Sequence, residues 1–285
     1  MPPTPTIERA PTPPLAHPVP LLNLRVDDLA HPGVETFFRV ASYPPSALKL
    51  AVERVLSTLY PSSLPSPSPS APPPAPKHHE TVNLHLKDFD GVAYTFGSDV
   101  HLSTSYLSSV SSSSSGDLER VKHEIEGVLV HELVHVFQYD GSGEGREGEV
   151  PWGVIEGVAD WVRLESGAGA RHWREHRQEE GRGWDAGYET TGFFLRWLSS
   201  HLSEPHLVPR LNLALRNSSW EDGRHLRKLL KGEEVEELWR AYQWELGKKE
   251  EGKEEEEPPK PVPTHGAGAG AGGGRGSGYN VMYAG

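Results

Sequence analysis

Residues 128–137 read VLVHELVHVF, an apolar run interrupted only by His131, Glu132 and His135. A run this apolar is closed in on most sides once folded. Burying two imidazoles and a carboxylate without partners costs on the order of several kcal/mol. Any fold of this chain must therefore supply those three groups with partners in its interior. On a helix, His131 and His135 stand one turn apart on the same face. Two imidazoles at that spacing can occupy adjacent corners of a zinc tetrahedron, with Glu132 in reach of water at the open corner.

The motif alone does not decide the matter, because the chain carries 15 histidines and a chance H-E-x-x-H is not rare. There is no cysteine, which excludes disulfides and thiolate ligands and leaves histidine and carboxylate as donors. A catalytic zinc needs a third protein ligand and an open position. A glycine three residues and a histidine six residues after His135 would complete one arrangement, but Gln138 and Gly141 stand there. A second arrangement takes a glutamate about 20 residues on, followed one turn later by an acid. PWGVIEGVADWVRL supplies both, with Glu156 21 residues after His135 and Asp160 one turn beyond it. Glu156 is thus expected to complete the ligand set for one Zn2+ ion. Asp160 is expected to accept the outer N–H of His131 and fix its tautomer. It is also spaced to pair with Arg163 on its own helix, which is compatible with that role.

A rival motif, His172-x-x-Glu175-His176, has the inverted order of another zinc-peptidase class. Arg171, Arg174, Arg177, Gln178 and Glu179 surround it, so no apolar wall would exclude water, and a solvated face is expected.

Residues 1–20 are Pro-rich and expected to be disordered, as are the acidic and glycine-rich residues 248–285. Between them, 21–247 should form one domain, interrupted by an exposed Pro/Ser-rich insertion at 61–79. Strands are expected at 21–28, 81–89 and within 91–107, with Asp90-Gly91 as a turn and a flexible serine loop at 108–116. Helices are expected at 46–60, 118–139 (capped by Asp117), 152–164, 188–202, 207–217 and 233–246, with a break at 141–148. Strands first and helices later indicate an α+β fold.

The segments VLVHELVHVFQYDG and VPWGVIEGVADWVRL together resemble the plant basic secretory protein family, a peptidase family of plants and bacteria. Its pattern H-E-x-x-H-x-x-Q falls on His131, Glu132, His135 and Gln138. Its P-W approach to E-G-x-A-D-x-x-R falls on Pro151, Trp152, Glu156, Gly157, Ala159, Asp160 and Arg163. DGVAYTFGSDVHLSTSYL and GYETTGFFLRWL are similar to the family's flanking segments, so the likeness spans about residues 20–245. It implies a zincin with a thermolysin-like catalytic half: a small N-terminal mixed sheet, an active-site helix, then C-terminal helices.

The expected activity is hydrolysis of peptide bonds in a peptide or protein substrate, with Glu132 as general base for water activated by zinc. Tyr188, which opens a helix after a glycine-rich loop, is the candidate donor to the oxyanion, with a packed core tyrosine as the alternative. Gln138 and Trp152 are expected to shape the site. The strand around Val100 to Ser105 is expected to pair edge-on with the substrate. Two other functions fit less of the pattern: a degenerate zincin that binds peptide or glycan, and a structural protein whose Pro-rich segments serve partner domains. A net charge of −12 argues against nucleic acid or an anionic membrane surface as a partner. The chain shows no apolar stretch of membrane-spanning length, and a monomer is expected. A cytoplasmic location is expected from an N-terminus without a signal-peptide pattern, with secretion the alternative the family likeness suggests.

Overall fold

A computed structural model describes residues 17–41, 43–66, 74–141, 150–175, 182–216, 220 and 223–255. Of the segments expected to be disordered, 1–16 and 256–285 lie outside the described residues, as do the middle of the Pro/Ser insertion, 142–148 of the expected break and His176.

The fold is α+β, with a small mixed sheet and several helices. β1 (Leu21–Val26), β2 (Thr81–Lys87), β3 (Ala93–Phe96) and β4 (Asp99–Ser103) form a sheet in the order β1-β2-β4-β3. β1 and β4 run parallel to β2, and β3 runs antiparallel to β4. The two-residue period of TVNLHLK buries Val82, Leu84 and Leu86 on one face, where they meet Val100 and Leu102 of β4. The opposite face carries Asn83, His85, Asp99 and His101, and His101 is stacked between His85 and Tyr94.

Nine helices are described: α1 (Pro32–Ala41), α2 (Pro44–Leu59), α3 (Thr104–Ser113), α4 (Leu118–Phe137), α5 (Trp152–Glu165), α6 (Tyr188–His201), α7 (Leu207–Ala214), α8 (Arg224–Leu229) and α9 (Val235–Glu255). Three were not expected: α1, α3 and the short α8. α1 buries Val34, Phe37 and Val40 at helical spacing and opens with proline, which favours a first turn. α3 replaces the expected serine loop. Ser103 caps it by accepting from Tyr106 N–H, and Leu107 and Val110 anchor it in the core. Its serines turn their hydroxyls inward to the preceding turn, Ser108 donating to Thr104 O and Ser112 to Ser108 O. Two buried apolar anchors here outweigh a composition that favours loop. α9 runs to Glu255, so the expected boundary at 247 falls inside a helix.

α4 is the central element. Asp117 caps its start, accepting from Arg120 N–H, and from Gly127 to Phe137 every residue except His135 is buried. It packs between α2 and α5, with β3 across one side. Its terminal carbonyls, which have no partner within a helix, are met by side chains from elsewhere. Tyr60 O–H donates to Phe137 O at 2.6 Å, and His79 Nε2–H donates to Val136 O at 2.9 Å. Asn212 of α7 completes this cap, donating to Tyr60 Oη at 2.9 Å and accepting from Tyr139 N–H at 2.8 Å. The Pro/Ser segment is therefore not simply exposed. Leu64 is buried at its outgoing end, and at its returning end Ala75 O, Lys77 and His79 contact Tyr139, Asp140 and Val136.

α5 and α6 form the closest helix pair. A side chain at Gly157 would meet Thr191 Cγ2 at 2.3 Å, and one at Gly192 would meet the backbone of Trp161 at 3.1 Å. Glycine at these positions lets the two backbones approach.

Candidate metal centre

α4 and α5 bring the expected residues together. His131 Nε2 lies 3.1 Å from His135 Nε2 and 3.0 Å from Glu156 Oε2, and His135 Nε2 lies 3.6 Å from Glu156 Oε1. One donor atom from each of the three falls within 4.8 Å of the others, and among the described residues no other set of three His, Asp or Glu donors does so. His131 is buried, and the His135 side chain is 17% exposed toward a cleft. In the rival motif, Arg171–Glu175 is not helical, and His176 lies outside the described residues.

The protons at these groups test whether the site suits a metal. His131 Nδ1–H donates to Asp160 Oδ1 at 2.7 Å, which leaves Nε2 to present a lone pair. The Gln138 amide nitrogen stands 2.7 Å from His135 Nδ1. A half-turn of that amide brings its oxygen there to accept Nδ1–H, and His135 Nε2 is then a lone pair as well. Two imidazole lone pairs and a carboxylate then converge on one point. A single proton can bridge two of these groups, whereas a cation satisfies all three. Two imidazoles and a carboxylate form a donor set that fits zinc and other first-row divalent metals.

Without a metal, the electrostatics sort the two imidazoles. Burial opposes a charge on His131, but the adjoining Asp160 carboxylate, helped by Glu156, outweighs it and raises the pKa to about 10. Burial, together with the charge on His131, lowers His135 to about 4. Burial also works to raise Glu156, yet its bond to His131 and its closeness to His135 hold it below the usual carboxylate range.

Glu132 lines the same cleft as the donor cluster and is 2% exposed. Thr95 of β3 donates its hydroxyl to Glu132 Oε2 at 2.7 Å. Burial, with Glu156 nearby, nevertheless keeps the Glu132 pKa above the ordinary value. Behind His131, Asp160 lies 3.6 Å from Arg163 Nη1, and both side chains are 2% exposed. Arg163 also lies over the Trp173 ring at 4.3 Å and donates from Nε to Ala168 O. Asp160 thus holds both partners that its spacing suggested.

The cleft encloses about 320 Å3, and its lining includes Tyr94, Thr95, Glu132, His135, Trp152, Glu156 and Tyr188. Gly187 and Tyr188 both take positive φ (89° and 47°), turning the chain sharply into α6. The Tyr188 ring stacks on His131 at 6.2 Å and meets Trp152 edge-on at 5.0 Å. Tyr188 is therefore at the cleft wall and not a packed core tyrosine. One expectation is corrected: β4 cannot take a peptide edge-on, because β2 and β3 flank it on both sides. The sheet edge beside the cleft is β3, from which Ala93, Tyr94 and Thr95 line it. Thr95 itself was missed, since a threonine 37 residues from Glu132 carries no spacing signal in sequence.

Two histidines one turn apart, a carboxylate from a neighbouring helix and a buried glutamate beside them define a candidate mononuclear metal centre of hydrolytic type. The chain belongs to the family described as peptidase of plants and bacteria, whose model matches residues 19–242. No curated protein and no solved structure matches it. Among the described residues no helix is long and apolar enough to cross a membrane.

Proposed function

We propose that the protein is a zinc-dependent peptidase of the thermolysin-like zincin type. His131, His135 and Glu156 would hold one zinc ion, and Glu132 is the general base. The observation that carries this reading is the convergence of three donor groups beside a buried, separately anchored carboxylate, in a cleft that runs along a sheet edge.

Zinc bound there supplies Lewis acidity, polarising the scissile carbonyl and making water nucleophilic near neutral pH. Glu132 takes the proton of the attacking water and passes it to the departing amine. Its raised pKa suits both transfers, because a carboxyl poised nearer neutrality gives up the proton it has gained. Asp160 holds the His131 ring in the tautomer that leaves Nε2 free. Tyr188 donates from its hydroxyl to the oxygen that gains charge as the carbonyl is attacked. The exposed edge of β3 offers main-chain pairing to an extended peptide, and Trp152, half-exposed, lines the same cleft. A site that only bound peptide would have no use for a buried glutamate set apart from the ligands.

The test is digestion of a peptide library by the wild-type chain, by Glu132→Gln, and by wild type treated with a chelator, with zinc content measured on each. The expected result is about one zinc per chain, cleavage by wild type, and loss of cleavage in the other two arms. Protein without stoichiometric zinc, or equal cleavage by Glu132→Gln, refutes the proposal.

A further inference from the structure

Thr95 joins the sheet edge to the base. By the two-residue period of β3 it shares a face with Ala93, while Tyr94 points to the other side and stacks on His101. Its Oγ1 lies 2.7 Å from Glu132 Oε2 and 3.0 Å from the main-chain oxygen of Glu132. A hydroxyl has one hydrogen to give, and the carboxylate is both the nearer and the more strongly charged acceptor. With its hydrogen given to the carboxylate, Thr95 leaves the main-chain oxygen of Glu132 as a close neighbour and not a bonded one. Among the described residues Thr95 is the sole side chain that hydrogen-bonds the Glu132 carboxylate.

We infer that Thr95 is a positioning residue for the reaction: its hydroxyl fixes Oε2 of Glu132 and so assigns proton transfer to Oε1. This rests on the reading of Glu132 as the general base. A carboxylate turns about its terminal torsion over a broad, roughly two-fold range. Transfer to and from two successive partners demands one oxygen in one position. Threonine meets that demand from a strand paired in register with β4, Thr95 opposite Val100, so the anchor is held by the sheet and not by the helix that carries the base. The same strand is the edge on which an extended substrate would lie. One element thereby sets both the substrate's height over the site and the aim of the base.

The test compares Thr95→Val, which keeps the shape and removes the hydroxyl, with Thr95→Ser, which keeps the hydroxyl. Glu132→Gln is the reference. The full chain is used, with a quenched-fluorescence peptide that the wild type cleaves, and zinc content and melting temperature are recorded for each variant. A hydrogen bond to a charged group is worth roughly 10- to 100-fold. Thr95→Val should therefore lower kcat by about that factor, with KM within about twofold and zinc content unchanged. Thr95→Ser should stay within about threefold of wild type. Wild-type kcat in Thr95→Val, or equal loss in both variants, overturns the inference while leaving Glu132 as base. Loss of zinc from Thr95→Val overturns it in favour of a structural role. Undiminished turnover by Glu132→Gln overturns the underlying reading, and this inference with it.

Discussion

Replacing Asp160 with asparagine keeps the shape of the side chain and an acceptor oxygen but removes the charge. Asp160 is 1% exposed, with Oδ1 at 2.7 Å from His131 Nδ1 and 3.6 Å from Arg163 Nη1. Two separable losses follow. The bond that orients His131 falls from charge-assisted to neutral, and a change of this kind behind a metal ligand weakens binding about 10- to 100-fold, or roughly 1.4 to 2.7 kcal/mol. Arg163 in turn becomes a buried cation without its counter-ion. Breaking a buried pair from one side costs about 3–5 kcal/mol. The lower end applies here, because the pair is long and Arg163 keeps the Trp173 face and Ala168 O. About 3 kcal/mol corresponds to roughly 6–12 °C in the melting temperature of a domain this size. Competition against a chromophoric zinc chelator reads the first loss. Thermal melting of the metal-free chain reads the second. If affinity stays within twofold of wild type while stability falls, Asp160 is only the counter-ion of Arg163 and its role in orienting His131 is refuted.

Four further outcomes are expected. At pH 7 the metal-free chain holds His131 as the imidazolium, its pKa raised to about 10, and His135 as the neutral imidazole, lowered to about 4. Zinc binding should therefore release close to one proton, measurable by calorimetry in buffers of different ionisation enthalpy, and no release would refute the assignment. The His131 value lies above its unfolded value of about 6.5, so its contribution to metal-free stability is full below about pH 6.5. It is lost as pH rises through 10, which a pH series of melts in chelator would reveal. Tyr188→Phe should lower kcat by roughly 100-fold or more while zinc content stays at wild-type level; an unchanged kcat removes Tyr188 from the mechanism. Gly153→Ala should destabilise the chain by about 3 kcal/mol or more in a denaturant melt. Its new Cβ would lie 1.7 Å from Asp185 O, on the turn that leads to Tyr188, and backbone cannot yield there cheaply.

The site is legible in the sequence where the chemistry is local to one helix face. His131 and His135 announce themselves by a one-turn spacing, as do Glu156 and Asp160, and the two pairs meet because α4 and α5 lie side by side. The start of α4 was legible for the same reason: Asp117 as a cap acts within a few residues. What escaped depends on the order of strands. Nothing in GVAYTFGSDVHLS states that β4 lies inside the sheet and β3 at its edge, since both alternate. That order is set by the parallel pairing of β2 with β4, which joins residues 16 apart. Thr95 is hidden by the same fact, since its value arises only once β3 lies across α4. The serine helix α3 was obscured for another reason. Its hydroxyls compete with water for backbone carbonyls, and only burial of Leu107 and Val110 decides that competition.

The cap on the last turn of α4 sets a limit on how far this chain can be shortened. The last residue proposed to act in the cleft is Tyr188, yet Asn212 supports the floor of that cleft through Tyr60 and the backbone of Tyr139. A fragment ending after α6 would hold every proposed ligand and both proposed catalytic groups. It would still leave a buried phenol one hydrogen bond short and a backbone N–H without an acceptor, just beyond the helix that carries the histidines. An asparagine with no proposed part in the chemistry thus ties α7 to the end of the helix that carries the histidines.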